Sequence, residues 1–200
     1  MNDSDQKEAL LARIAELERE IHLREGDLIH DPLTGLKTRA FFEEELDMYL
    51  SIIVGTNTSR RKEWFGFKNM SIMFFDIDNF KHINDTYGHQ TGDVVLKGVT
   101  RAISENVREG DTVARWGGEE IIGSLLGANE TDAKEKAETI RKKVSKLAFE
   151  TMPDQSVTVS VGVASAESGI ASKEFFAHAD KALYKAKESG KNKVVAYSEL

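Results

Sequence analysis

The residues with the greatest chemical capacity in this sequence are acids set beside turns. In "FFDIDNFKHIND", Asp76 and Asp78 close an apolar run, and residues two apart on a strand share a face. A loop follows, and loops beside a rigid strand end are where working groups concentrate. A calcium loop of the EF-hand type would need a small polar ligand, then glycine, and a bidentate glutamate as its last ligand. Phe80, Lys81 and Tyr87 hold those places, so that chemistry is excluded. In "RWGGEE", Gly117 and Gly118 precede Glu119 and Glu120 between two apolar runs. If this tip lies beside the Asp76 strand, Glu119 faces Asp76. The pair then suits a hard divalent cation that completes its shell with water and phosphate oxygens. Glycines ahead of acids leave room for a group lying against the backbone; they equally fit a plain hairpin turn with a solvated tip. In "YKAKESGKNK", Lys187 and Lys191 stand around a helix end with Gly190 as its stop. Such lysines either complement the helix dipole or hold phosphates as point charges.

The elements that must position these groups are legible in outline. The 200 residues suit one domain plus an accessory element, and 40% hydrophobic with 30% charged residues suits a real core under a charged surface. A net charge of −7 argues against general nucleic-acid binding, which needs clustered Lys and Arg. The absence of cysteine excludes disulfides, thiolate metal sites and thiol nucleophiles. "MNDSDQKEAL" is no secretory signal, and no apolar run is long enough to cross a bilayer. A cytoplasmic protein, or the soluble part of a longer one, is the reading.

Residues 4 to 28 read as one charged helix. Leu10, Ile14, Leu17, Ile21 and Leu28 form a narrow a/d seam, which favours a dimerising coiled coil over a helix packed on its own domain. Pro32 and Gly35 mark a turn, and Thr38 caps a helix carrying Phe41, Phe42, Leu46, Tyr49 and Leu50. Residues 55 to 69 read as a solvated loop with a basic patch. Beyond it, "SIMFFDI" reads as a buried strand, and Val95, Val99, Ala102 and Ile103 give a helix after "TGD". "DTVARW" and "EIIGSLL" are the arms of a hairpin. Ala137, Ile140, Val144 and Leu147 give another helix, "SVTVSVGVA" a strand, Phe175 to Ala186 a long helix, and "KVVAY" a closing strand. Strands interleaved with helices around a hairpin predict a mixed α/β or α+β sheet domain.

Taken together, "DPLTGLKTR", "FFDIDNFKHINDTYGHQTGD", "RWGGEE" and "ADKALYKAKESGKNKVV" resemble, in order and spacing, the GGDEF family of diguanylate cyclases over roughly residues 30 to 197. The resemblance implies a palm-like cyclase fold: a central mixed, antiparallel-rich sheet flanked by helices, here preceded by a coiled-coil-like helix. It divides the chain into an N-terminal helix, 1–29, and a catalytic domain, 30–200. It implies condensation of GTP, two molecules at a time, into cyclic di-GMP and pyrophosphate. Carried over by position, Asp76, the Ile77 carbonyl and Glu119 would hold a pair of Mg²⁺ (or Mn²⁺) ions at each GTP site. Asn84 and Asp93 would read the guanine edge. Backbone amides around Phe80 and Lys81, with Lys187 and Lys191, would hold the β- and γ-phosphates. Gly117 and Gly118 would leave room for the nucleotide, and Glu120 would assist in a role ranked below that of Glu119.

A family member of this kind binds one GTP per domain, so the resemblance also implies a catalytic homodimer and gives the seam a purpose. "REGD", Arg108 to Asp111, matches the family's RxxD product-inhibition site in its offset from GGEE. There are departures. Ile121 stands where Phe is usual and should pack in the core. Lys191 replaces a common Arg, and Thr38 a usual Asn. The segment from Gly55 to Asn69 is longer than the family norm. His89 reads as structural. None of these removes a metal ligand or a guanine contact. The leading expectation is an active cyclase; the alternatives are a silent domain that senses cyclic di-GMP through Arg108 and Asp111, and a GTP-binding regulator. The controlling signal, including any upstream sensor, is not written in the chain.

Overall fold

The computed structural model describes residues 29–54 and 69–200, together with Arg13, Ile14 and Glu16. Those three positions are helical, and Arg13 pairs with Glu16 at 2.6 Å. The rest of the predicted seam (Leu10, Leu17, Ile21 and Leu28) and the basic loop through Lys68 lie outside the described residues.

A six-stranded sheet carries the molecule, in the order β1-β3-β4-β2-β5-β6. Its strands are β1 (Lys37–Thr38), β2 (Met70–Ile77), β3 (Thr112–Arg115), β4 (Glu120–Leu126), β5 (Val159–Ser165) and β6 (Val194–Ala196). The four inner strands are antiparallel, and only the outermost pairs, β1·β3 and β5·β6, run parallel. The helices are α1 (Arg39–Val54), α2 (Phe80–Tyr87), α3 (His89–Ser104), α4 (Glu130–Val144) and α5 (Ser172–Glu188). This is the mixed, antiparallel-rich sheet flanked by helices that the sequence led one to expect.

Strand β2 runs through the centre, and every one of its residues is buried. Its alternation divides the core into two layers. Met73, Phe75 and Ile77 pack with Val95, Val99 and Ile103 of α3 and with Ala137, Ile140 and Val144 of α4. Met70, Ile72 and Phe74 pack on the opposite side with Phe42, Leu46 and Leu50 of α1 and Phe175, Ala179 and Leu183 of α5. Burying each such Phe or Leu contributes about 1.5–3 kcal/mol, and a strand covered on both faces reads as an unbroken apolar run. The sequence Met-Ser-Ile-Met-Phe-Phe fits that description, with Ser71 satisfied by the Ala128 carbonyl at 2.9 Å.

Local signals behave as the sequence suggests at several ends. Thr38 caps α1, its Oγ1 accepting from the Phe41 N–H at 3.3 Å. Asn129 caps α4 by accepting from the Asp132 N–H at 2.9 Å. Gly190, at φ +108°, stops α5. Three details differ. Leu147 lies past the end of α4, in a turn, partly buried against the first core layer. Strand β5 begins at Val159, later than the apolar pattern suggests. Helix α2 was not expected at all.

Helix α5 lies directly on β5. A Cβ at Gly162 would fall 2.1 Å from the Ala179 carbonyl oxygen and 2.3 Å from the Leu183 amide nitrogen. No side chain fits between the helix and the strand there, and the backbones approach closely because of it. That contact fixes the height of α5 over the sheet, and so the position of the lysines at its end.

Candidate active site

The site forms where β2, the β3–β4 turn, the start of α2 and the end of α5 meet. By alternation, Asp76 shares the sheet face of Ile72 and Phe74, the side covered by α5. Its register partners are Glu120 on β4 and Ser160 on β5. The expectation that Glu119 faces Asp76 is therefore corrected: Glu120 is opposite, and Glu119 stands one residue further out. The Glu119 carbonyl accepts from the Ile77 N–H at 3.4 Å, which closes the end of the sheet. Ile121, at 0% exposure, fills the core as predicted.

Asp76 is a strongly conditioned carboxylate. Burial pushes its pKa up, a hydrogen bond and charge from Lys187 oppose that, and the nearby Glu119 and Glu120 charges push it up again. The net direction is upward. The Lys187 Nζ lies 2.6 Å from the Asp76 Oδ2. Asp78, by contrast, is a structural anchor. It accepts from the hydroxyls of Thr158 and Ser160, each at 2.7 Å, and from the Asn192 N–H at 3.0 Å. These bonds tie the chain after α5 to the end of β2. Around the anchor, Asn79, Lys191 and Asn192 all take left-handed backbone angles, φ 57°, 61° and 47°. Lys191 Nζ donates to Asn79 Oδ1 at 2.6 Å.

The GGEE turn is held from behind. Arg115 donates to the carbonyls of Gly117 and Gly118, the latter at 2.9 Å, and reaches Asp31 with Nη1 at 3.0 and 3.2 Å. Trp116 sits in an aromatic cluster with Phe42, Phe74 and Phe176, with the Arg39 guanidinium 4.1 Å from its ring centroid. Neither Gly117 nor Gly118 has a left-handed φ, so backbone conformation does not demand glycine there. A Cβ on Gly118 would meet nothing within 4 Å. Gly118 thus leaves open surface for a group lying against the turn, whereas a Cβ on Gly117 would fall 3.0 Å from the Glu120 Oε2.

Such a group has a place to lie. A cleft of about 500 Å³ is lined by Phe80, Lys81, Asn84, His89 and Asp93 on the helical side and by Arg115, Gly118 and Glu119 on the hairpin side. Helix α2 starts at Phe80, in the cleft wall, and a helix start is a favourable end for anionic oxygens. Asn84 lies against Gly92, where a Cβ would fall 1.9 Å from its Oδ1. Gly92 is thus a positioning residue that sequence reasoning missed, although the "TGD" ahead of Asp93 carried the signal. Asp31 and Arg115 were missed as partners too, and His89, read as structural, stands on the cleft wall. Lys187, Lys191, Asp76, Ile77, Gly117 and Glu120 are not among the residues that line it.

All the oxygen donors fit a hard cation. Among the described residues no group of three or more His, Cys, Asp or Glu is arranged to hold a metal ion unaided. Mg²⁺ sites commonly use only one or two protein carboxylates, with substrate phosphates completing the shell. On the far side of the hairpin, Asp111 accepts from the Arg108 and Leu126 amides at 3.2 and 3.1 Å, and Arg108 bonds the Leu126 carbonyl. The Arg108 side chain stays 65% exposed while that of Asp111 is 3% exposed. Clefts open on either side of this pair, one toward His30 and Lys37 and the other toward Asp132 and Lys136. No helix among the described residues is long and apolar enough to cross a membrane.

The family described as "Diguanylate cyclase, GGDEF domain" matches residues 28–193. The chain is 41% identical over 168 residues to Diguanylate cyclase A of Treponema denticola, covering 82% of this chain and 43% of that protein. It is 39% identical over 171 residues to Diguanylate cyclase DgcM of Escherichia coli K12, covering 84% and 38%. The chain thus spans about two fifths of the length of these curated relatives. Among solved structures it is similar to the coiled coil and GGDEF domain of DgcB from Caulobacter crescentus, determined in complex with c-di-GMP. The TM-score is 0.83 at 28% identity, over 96% of this chain and 98% of that one.

Proposed function

Because the chain belongs to the GGDEF domain family of diguanylate cyclases, we propose that it condenses two molecules of GTP into cyclic di-GMP with release of pyrophosphate. Residues 30–200 form the catalytic domain and residues 1–29 a dimerising helix, and the reaction belongs in the cytoplasm, where GTP is supplied. The carrying observation is the cleft whose walls bring Asn84, Asp93 and the start of α2 together with Gly118 and Glu119. Asp93 accepts from N1–H and the N2 amine of guanine, which adenine cannot offer, and a site built on such bonds rejects the base that lacks them. Gly117 and Gly118 let the triphosphate lie along the turn. The amides of Phe80 and Lys81, with Lys187 and Lys191, hold its outer phosphates. Asp76, the Ile77 carbonyl and Glu119 would hold Mg²⁺ (or Mn²⁺), with Glu120 close by. The bound cations would polarise the α-phosphate, lower the pKa of the attacking 3′-hydroxyl and stabilise the leaving pyrophosphate.

The described residues of one chain form one cleft of this composition, so attack on a second nucleotide needs a second chain facing it, related by a twofold axis. Arg108 and Asp111 bind the product away from the cleft: the buried Asp111 fixes the turn, and the exposed Arg108 offers a guanidinium fork to a guanine edge or a phosphate. In the test, protein freed of carried-over product is incubated with GTP and Mg²⁺, and pyrophosphate and cyclic di-GMP are followed. Both should form, and Glu119→Gln should lower turnover by ~10²-fold or more, as when a charge-stabilising group is removed from an active site. Cyclic di-GMP should still bind the variant. No product at any concentration, with tight cyclic di-GMP binding, would make the protein a receptor instead.

A further inference from the structure

Both lysines at the end of α5 turn inward to the chain around the end of β2. Lys187 Nζ is 2.6 Å from Asp76 Oδ2, and Lys191 Nζ is 2.6 Å from Asn79 Oδ1. Asp76 is largely buried, and the charges of Glu119 and Glu120 act on it. A concentration of negative charge in a partly buried place is unfavourable unless a cation is present, and Lys187 supplies one, with a side chain only 34% exposed. The anchor at Asp78 and the close seat of α5 on Gly162 bring that ammonium to the strand end, where a free surface lysine would stay in water.

From this geometry we infer that Lys187 is the internal counter-ion of the cation site: it holds Asp76 until a divalent cation and a nucleoside triphosphate arrive together. The inference rests on the assignment of Asp76 to cation binding made above. A cation arriving alone must take the Asp76 oxygen from an ammonium already bonded to it, and leaves that ammonium beside a dication without an acceptor. A triphosphate arriving alone meets the carboxylates with their one close ammonium engaged. When both arrive, Asp76 passes to the cation and Lys187 to the outer phosphates, and every charge keeps a partner. Cation and triphosphate therefore each raise the affinity for the other by the same factor, as linkage requires. Lys187 offsets one of the three nearby carboxylate charges, and a cation arriving alone is held weakly.

The test is Mn²⁺ binding to the intact chain without nucleotide, followed by the paramagnetic resonance of free Mn²⁺. Wild type should bind weakly, and Lys187→Met should bind about tenfold more tightly, corresponding to about one pKa unit of released competition. Lys187→Arg, which keeps the charge, should stay weak. Lys187→Gln serves as a second neutral variant should the methionine disturb packing, with thermal melting as the check on both. Adding Asp76→Asn to either neutral variant should remove the gained affinity. Equal or weaker Mn²⁺ binding in both neutral variants, with wild type converting GTP normally, would overturn the counter-ion role while leaving the cyclase reading intact. Gained Mn²⁺ affinity that survives Asp76→Asn would overturn the role as well, because the cation would then be held elsewhere. If wild type also makes no product from GTP, the cyclase reading itself is what fails.

Discussion

Asn84 can occupy its place in the cleft only because residue 92 carries no side chain. The clash that a Cβ would make there, 1.9 Å from Asn84 Oδ1, is with the far end of a flexible side chain. Gly92 lies inside α3, where alanine is the better helix former by about 1 kcal/mol. Gly92→Ala should therefore leave the melting temperature nearly unchanged while swinging Asn84 out of position. The expected result is a rise in KM for GTP of ~10-fold or more, the worth of one or two hydrogen bonds to a buried polar edge. Asn84→Ala should cost about as much alone, and the double variant little more than either, because both remove the same contact. Additive losses would show that Gly92 acts on something other than Asn84. The same pair marks what a sequence can disclose at this scale. The types and order of Asp76, Asn84, Asp93 and Glu119 belong to the blocks that carry the family resemblance, and their proposed roles come from it. That Gly92 exists to admit Asn84 is a matter of helix α2 crossing helix α3, and no local pattern expresses a crossing.

At the scale of elements, the GGEE turn is positioned by a bond that spans 84 residues, from Arg115 to Asp31. Burial acts to raise the Asp31 pKa, but the Thr34 hydroxyl and amide and the Arg115 guanidinium together hold it below the ordinary value of 3.8. A carboxyl depressed in the folded state stabilises the fold at all pH above its unfolded value and loses that contribution as pH falls through its folded value. Asp31→Asn should thus lower stability by about 2 kcal/mol at neutral pH, the scale of hydrogen bonds to a charged group. In urea melts, the gap to wild type should stay constant from neutral pH down to about 4 and close below it. A gap that closes at higher pH would assign the titration to another group. The sequence showed "DPLTG" as a turn and "RW" as a strand end, each for sound local reasons, but nothing local joins them. Helix α2 was hidden for a related reason: at eight residues, with only Phe80 and Ile83 buried, it is too short to display a period. The long helices α3, α4 and α5 were readable because each turns a repeating face to one core layer, and β2 because burial on both faces makes it an unbroken apolar run.

For the whole molecule, the decisive feature is that the described residues of one chain carry a single cleft at the proposed active site. In the proposed reaction two 3′-hydroxyls must each reach the other nucleotide's α-phosphate, so the rate per chain would depend on how often two clefts face one another. Untethered domains meet in proportion to concentration. While the helices stay paired, they hold the second cleft at an effective concentration in about the millimolar range. The N-terminal sequence supplies an a/d seam of about three heptads, a marginal coiled coil by itself. Ile14, one of its members, is helical and 45% exposed in the single chain, as a residue awaiting a partner helix would be. Replacing Ile14 and Ile21 with Lys puts charges into that seam while leaving the catalytic domain's sequence untouched. Wild type should then keep its activity per chain over a hundredfold dilution through the micromolar range. The double variant should lose activity almost in proportion to dilution and recover it when concentrated. Activity per chain that falls equally in both proteins would mean that the clefts meet through the domains themselves. Activity that falls in neither would mean that a single chain completes the reaction, and the facing-cleft mechanism would have to be given up.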